Sequence, residues 1–264
     1  MKLPRLLFAF LACVALGSAA PAAAASKSPA SGSSGPVYEL RTYTATPANL
    51  DKVAARFRND TVRIFEKHGM KNIGYWIPMD EKDGSGDKLV YLLEHASRDA
   101  AKASWKSFSS DPQWQEVRKR TEANGKIVAK AESVFLEPTN YSPVMKPGKG
   151  KGAPRVFELR TYAAAEGKLP ALDARFRDHT LKIFAKHGMT NLGYFHPTDA
   201  DKGAGNTLVY FLAHANRDAA AASWKAFRDD PGWVKARTAS EKDGKLTTKV
   251  QSVFLTPTDF STLK

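Results

Sequence analysis

From Val37 to Tyr43 (VYELRTY) polar and apolar residues alternate. In an extended strand Val37, Glu39, Arg41 and Tyr43 share one face while Tyr38, Leu40 and Thr42 share the other. The period then lengthens, and Leu50, Val53, Phe57, Thr61, Ile64 and His68 are spaced as the buried stripe of a helix, with Gly69 placed for a left-handed cap. Asn72 to Pro78 and Leu89 to His95 read as two strands joined through the turn residues Asp83-Gly84-Ser85-Gly86, a hairpin. A second helical region starts near Ser97 and breaks at Asp111-Pro112, where Asp suits an N-cap and Pro the first turn. It stops near Gly125, and a fourth strand runs from Ala131 to Glu137, closed by Pro138.

The same series returns 119 residues later without a gap. Val156-Phe157-Glu158-Leu159-Arg160-Thr161-Tyr162 repeats the first strand, His187-Gly188-Met189 repeats His68-Gly69-Met70, and Trp224, Phe227, Asp230-Pro231 and Trp233 repeat Trp105, Phe108, Asp111-Pro112 and Trp114. This is a domain duplication, with a period too long for a solenoid. The order βαββαβ is the ferredoxin-like arrangement, with both helices on one face of an antiparallel sheet. In the third strand both faces are apolar (Leu89, Tyr91, Leu93 against Val90, Leu92), so the sheet must be covered twice. The fold class expected is α+β, two ferredoxin-like βαββαβ domains packed sheet to sheet as one intramolecular α/β barrel. The apolar side of the first strand (Tyr38, Leu40) is expected to meet the helices, with Glu39, Arg41 and Tyr43 turned into the barrel.

Composition sets the boundaries. Lys2 and Arg5, the apolar run from Leu6 to Leu16 and Ala23-Ala24-Ala25 form a secretory signal peptide (residues 1–25) cleaved after Ala25; the run is far shorter than the roughly 20 residues that cross a bilayer. Secretion, or a periplasmic location, follows, with no membrane span after cleavage. The single cysteine, Cys13, lies inside that segment, so the mature chain forms no disulfide. Residues 26–36 are a Ser/Gly/Pro tether and residues 142–155 a Pro/Gly/Lys linker, leaving domains at 37–141 and 156–264. Formal charge is +13, and loss of Lys2 and Arg5 leaves +11, which favours anionic ligands. The basic residues are scattered over helices without a nucleic-acid motif, so no nucleic acid is expected.

The Tyr-Glu-Leu-Arg-Thr-Tyr strand, the helix ending in His-Gly, the Gly-Tyr strand and the Trp-x-x-Phe…Asp-Pro-x-Trp helix resemble the NIPSNAP domain, a member of the dimeric α/β-barrel group, over residues 37–138 and 156–257. The resemblance implies chiefly the fold. Related barrels include cofactor-independent monooxygenases and chlorite-dismutase-like haem proteins, analogies that do not transfer function.

Arg41 and Arg160, expected inside the barrel with Glu39, Tyr43, Glu158 and Tyr162, need an anionic partner. Either the glutamates neutralise them, or they also hold a carboxylate-like ligand. Gly74 and Gly193 inside strands mark a bulge or close approach, and Tyr75, Trp76, Tyr194 and Phe195 beside them are candidate pocket walls. His95 and His214 end the third strands at the expected cavity mouth, as candidate general bases or haem ligands. His68 and His187 suit helix C-termini, while His179 and His196 have no histidine counterparts in the first half. The sequence carries no zinc or calcium ligand pattern, and haem through His95 or His214 is the one cofactor to test. The expected function is binding of a small, partly apolar anionic molecule. The alternatives are a cofactor-free oxygenase or isomerase and a protein-interaction module, and further self-association is left open.

Overall fold

The computed structural model describes residues 35–146, 148 and 155–264; the signal-peptide reading lies outside them. Among the described residues no helix is long and apolar enough to cross a membrane. The first half runs β1 (Val37–Ala45), α1 (Leu50–Arg56), a π-helical turn (Phe57–Thr61), α2 (Val62–Lys67), β2 (Lys71–Pro78), β3 (Lys88–His95), α3 (Arg98–Ser110), α4 (Pro112–Thr121) and β4 (Val128–Pro138). The second repeats it as β5 (Val156–Ala164), α5 (Leu169–Arg175), a π-helical turn (Phe176–Thr180), α6 (Leu181–Lys186), β6 (Thr190–Pro197), β7 (Thr207–His214), α7 (Arg217–Asp229), α8 (Pro231–Ser240) and β8 (Thr247–Pro257). The eight strands close into one antiparallel barrel, in the order β1-β3-β2-β8-β5-β7-β6-β4.

Local signals set the boundaries. Gly69 takes φ 75° at the end of α2. The Ser97 hydroxyl accepts from Ala100 N–H and the Asp111 carboxylate from Gln113 N–H, so each starts a helix as its residue type predicts. Two features differ from expectation. The first helix carries a π turn, in which the Thr61 hydroxyl bonds the Arg56 carbonyl five residues back. Strand β4 begins at Val128, because its first residues pair with β1 while their side chains from Ala129 to Glu132 stay exposed, and exposed positions show no apolar alternation.

The facing of β1 is the reverse of that expected. Tyr38 and Leu40 lie inside the barrel with Val90, Leu92, Trp76, Phe157, Phe195 and Phe211, residues of both halves. Glu39, Arg41 and Tyr43 face the helices, opposite Leu93, Tyr91 and Leu89 of β3. The physical reason is that a closed barrel offers no helix side chain or water to a charge, whereas the helix side offers donors. On a sheet apolar on both faces, alternation in one strand cannot say which face turns inward.

The strand glycines have the role their position suggests. Pairing slips between Asn72 and Gly74, so Ile73 and Trp76 both reach the barrel interior, and a Cβ on Gly74 would collide with the Trp76 ring. A Cβ on Gly193 would lie 2.7 Å from the Phe195 ring and 2.9 Å from Met145. Gly193→Ala is expected to cost about 1–3 kcal/mol by overpacking, measured by denaturant unfolding.

Each half also reaches across to the other. After β4, Ser142 accepts the Tyr194 N–H and Met145 enters the barrel core, so the start of the linker is docked. After β8, Ser261 accepts the Tyr75 N–H and Phe260 packs on the first helix–sheet core. Arg217 clasps Asp80 through both terminal nitrogens, and Arg98 mirrors it on Thr198 and Asp199.

Candidate functional site

The charged pair of each first strand is held in a closed network between sheet and helices. The Glu39 carboxylate accepts from Arg41 Nη1 (2.5 Å), Ser133 Oγ (2.6 Å) and Trp105 Nε1 (2.6 Å), and lies 3.0 Å from His95 Nε2. In the second half Glu158 has the same partners, Arg160, Ser252, Trp224 and His214. Burial works to raise the Glu39 pKa, but the His95 hydrogen bond, the Arg41 charge and the Ser133 and Trp105 donors outweigh it and bring it down to about 2; Glu158 follows suit. The Arg41 guanidinium stacks on Trp105 at 4.3 Å and Arg160 on Trp224 at 4.2 Å, and Arg160 Nη2 donates to the Tyr162 hydroxyl. Internal neutralisation is thus the arrangement found.

His95 and His214 are not at a cavity mouth: their side chains are 0% and 1% exposed, because strand ends β3 and β7 are covered by the helices that follow. Each has Nε2 engaged by a glutamate, and among the described residues Nδ1 has no partner. A haem iron on Nε2 would have to displace that carboxylate from a fully buried ring, so these residues do not fit haem. Tyr75 and Tyr194 are buried in the two helix–sheet cores, each phenol donating to an asparagine, Asn72 or Asn191. Trp76 and Phe195 fill the barrel. His68 and His187 bind Asp111 and Asp230 at 2.7 and 2.8 Å, and His179 is exposed on the π turn.

Open space lies outside the barrel, on both sides of the Arg160 network. A groove of about 460 Å³ beside Arg160 is bounded by Trp224, Phe254, Arg217 and Arg228, although Arg217 is committed to Asp80. A more enclosed pocket of about 270 Å³ lies between α5, α8 and the sheet. Its walls are Tyr162, Phe176, Phe184, Phe227 and Trp233, and the fully buried Tyr210 ring packs against the first three. The π turn bears on its lining: Arg175 and Thr180, five residues apart, both face the pocket, whereas a regular helix would turn them to different sides.

The rim is cationic. Arg175 is taken by Glu241 at 2.8 Å and covers Trp233. Arg237 and Lys245 are exposed, and among the described residues neither side chain has a hydrogen bond or ion pair. Of the pocket's twelve lining positions, only Thr247 and Val250 differ from the first half, where Val128 and Ala131 stand. Arg118 corresponds to Arg237 although its neighbours Lys119 and Arg120 have become Thr238 and Ala239. Sequence reading missed this pocket, because its aromatics sit at helical spacing and read as core, which they also are. The retention of Arg118 and Lys126 as Arg237 and Lys245 was the available signal.

No functionally curated protein matches the chain. The sequence pattern of the NIPSNAP family matches residues 38–143 and 157–262. Among solved structures, a protein of Lactobacillus acidophilus NCFM provisionally named a monooxygenase is 14% identical, with a TM-score of 0.50 over 84% of this chain and 94% of its own. A Fusobacterium nucleatum protein named in the same way is also 14% identical at TM-score 0.50, over 85% and 93%. A NIPSNAP family protein of unknown function from Agrobacterium tumefaciens is 24% identical over 43% of this chain and 97% of its own, with a TM-score of 0.37. At these identities the likeness is one of fold.

Proposed function

This chain belongs to the NIPSNAP family, and from that premise we propose that it is an exported binding protein for a small, partly apolar anion, held in the helix–sheet pocket of the second half. The observation that carries this reading is the pairing of five aromatic walls with two exposed, unpaired cations, Arg237 and Lys245, in a lining retained between the halves. Aromatic walls bury the apolar part of a ligand, and a few placed charges orient its acid group, the usual composition of a small-molecule site. Arg160 and Tyr162 act as support: Arg160 fixes the Tyr162 hydroxyl, and Tyr162 forms one wall. The volume suits a molecule with one ring or a short branched chain.

A catalytic role through His95 or His214 has less support, since both imidazoles are sealed and bound to glutamates. The test is a thermal-shift screen of the purified protein with benzoate, phenylacetate, short fatty acids and the matching neutral amides. Acids are expected to stabilise and amides not. Arg237→Ala with Lys245→Ala is expected to weaken the best acid about tenfold, or about 1.4 kcal/mol. Equal stabilisation by acids and amides, or none by either, overturns the proposal. N-terminal sequencing of the secreted protein, expected to begin at Ser26, checks export.

A further inference from the structure

Three positions that are far apart in the chain differ between the halves in concert. Where the first half has Ala54, Ile77 and Phe260, the second has Asp173, His196 and Tyr141. In the first half Ile77 and Phe260 belong to the apolar core, and Phe260 lies 5.4 Å from Tyr75. In the second, the Tyr141 hydroxyl donates to Asp173 Oδ1 at 2.6 Å and His196 Nε2 lies 3.0 Å from the same oxygen. The three side chains come from the segment after β4, from α5 and from β6, so no local sequence pattern brings them together. An apolar trio already closes this corner in the other half, and exchanging it for a carboxylate and an imidazole adds desolvation cost without being needed for packing.

We propose that Tyr141, Asp173 and His196 form a half-specific binding site for ferric iron. Tyr141 Oη and His196 Nε2 converge on one Asp173 oxygen at 2.6 and 3.0 Å, close to the spacing of about 2.8–3.1 Å that bonds of about 2.0–2.2 Å give neighbouring ligands around one metal. The site is reachable, with the His196 side chain 30% exposed and that of Asp173 19%. Water or a small anion completes the coordination.

The donor set selects the ion. Imidazole accepts several transition metals, whereas a carboxylate with a phenolate favours a hard, highly charged one. On binding, the phenol proton passes to solvent, the metal takes its place, and the iron keeps its oxidation state. The neighbouring cation, Arg177, is held by Asp178 through Nε and Nη2 at 2.8 and 3.0 Å, which offsets its repulsion.

The experiment is titration of the purified protein with ferric nitrilotriacetate, followed by visible absorbance. Phenolate ligation gives a tyrosinate-to-iron charge-transfer band, expected to saturate at one iron per chain. The band is expected to vanish in Tyr141→Phe, and His196→Ile is expected to weaken uptake at least tenfold. The triple variant Tyr141→Phe, Asp173→Ala, His196→Ile carries the residues of the first half and is expected to fold with no band. No band in the wild-type protein, a band that survives Tyr141→Phe, or uptake of zinc in preference to iron overturns the proposal.

Discussion

Glu39→Ala is expected to lose about 3–5 kcal/mol of stability, and Glu158→Ala a similar amount, read by denaturant unfolding with an unchanged m value. Each carboxylate is 1% exposed and serves four groups at once, so truncation strands a guanidinium, an indole N–H, a hydroxyl and an imidazole between sheet and helices. That loss is a large part of the 5–15 kcal/mol that holds a typical domain. The paired change Glu39→Leu with Arg41→Met removes charge and countercharge together and is expected to recover part of it, because the guanidinium is no longer stranded, while Trp105, Ser133 and His95 still lose their acceptor. A loss under about 1 kcal/mol for Glu39→Ala would mean that the network contributes little.

Acid is expected to act through the same two carboxylates and with a larger summed effect. A carboxylate with a folded pKa below its unfolded value adds stability that is complete above the unfolded pKa and disappears as pH falls through the folded one. For Glu39 and Glu158 that window runs from the ordinary 4.5 down to about 2. Each contributes about 3 kcal/mol across it, so about 6 kcal/mol is lost between neutral pH and pH 2. Asp111 and Asp230 add to the slope in the same direction, since hydrogen bonds from Lys67 and Lys186, and then from His68 and His187, hold them below the usual carboxylate range. Glu39→Gln should remove about half of the glutamate part of the slope. A stability profile flat from pH 5 to pH 2 would contradict the assignment.

The repeat made the fold legible: two copies of βαββαβ with a strand apolar on both faces left one economical closure, and the barrel is that closure. What alternation could not reveal was facing. Tyr38 and Leu40 line the barrel because a sealed interior tolerates only apolar side chains, and Glu39 meets the helices because Trp105 and Ser133 offer it hydrogen there. The site residues divide along the same line. Glu39, Arg41, His95 and their copies do gather, yet as a satisfied network, whereas Tyr162 alone of the eight proposed ligand contacts lines the helix–sheet pocket. The π turns, one of which brings Arg175 and Thr180 to that pocket, leave no mark on the apolar stripe from Leu50 to Ile64. The cluster of Tyr141, Asp173 and His196 was out of reach for a different reason. Asp173 aligns with Ala54 and looks like any solvated helix residue until β6 and the segment after β4 are folded against it.

The proposed ligand site lies between helices and sheet, outside the barrel. A crystal structure of the protein with the most stabilising acid tests it most directly. Density is expected between Tyr162, Phe227 and Trp233, with the carboxylate toward Arg237 and Lys245. Density inside the barrel against Trp76 and Phe211, or an acid bound only at Arg41 and Arg160, would contradict it.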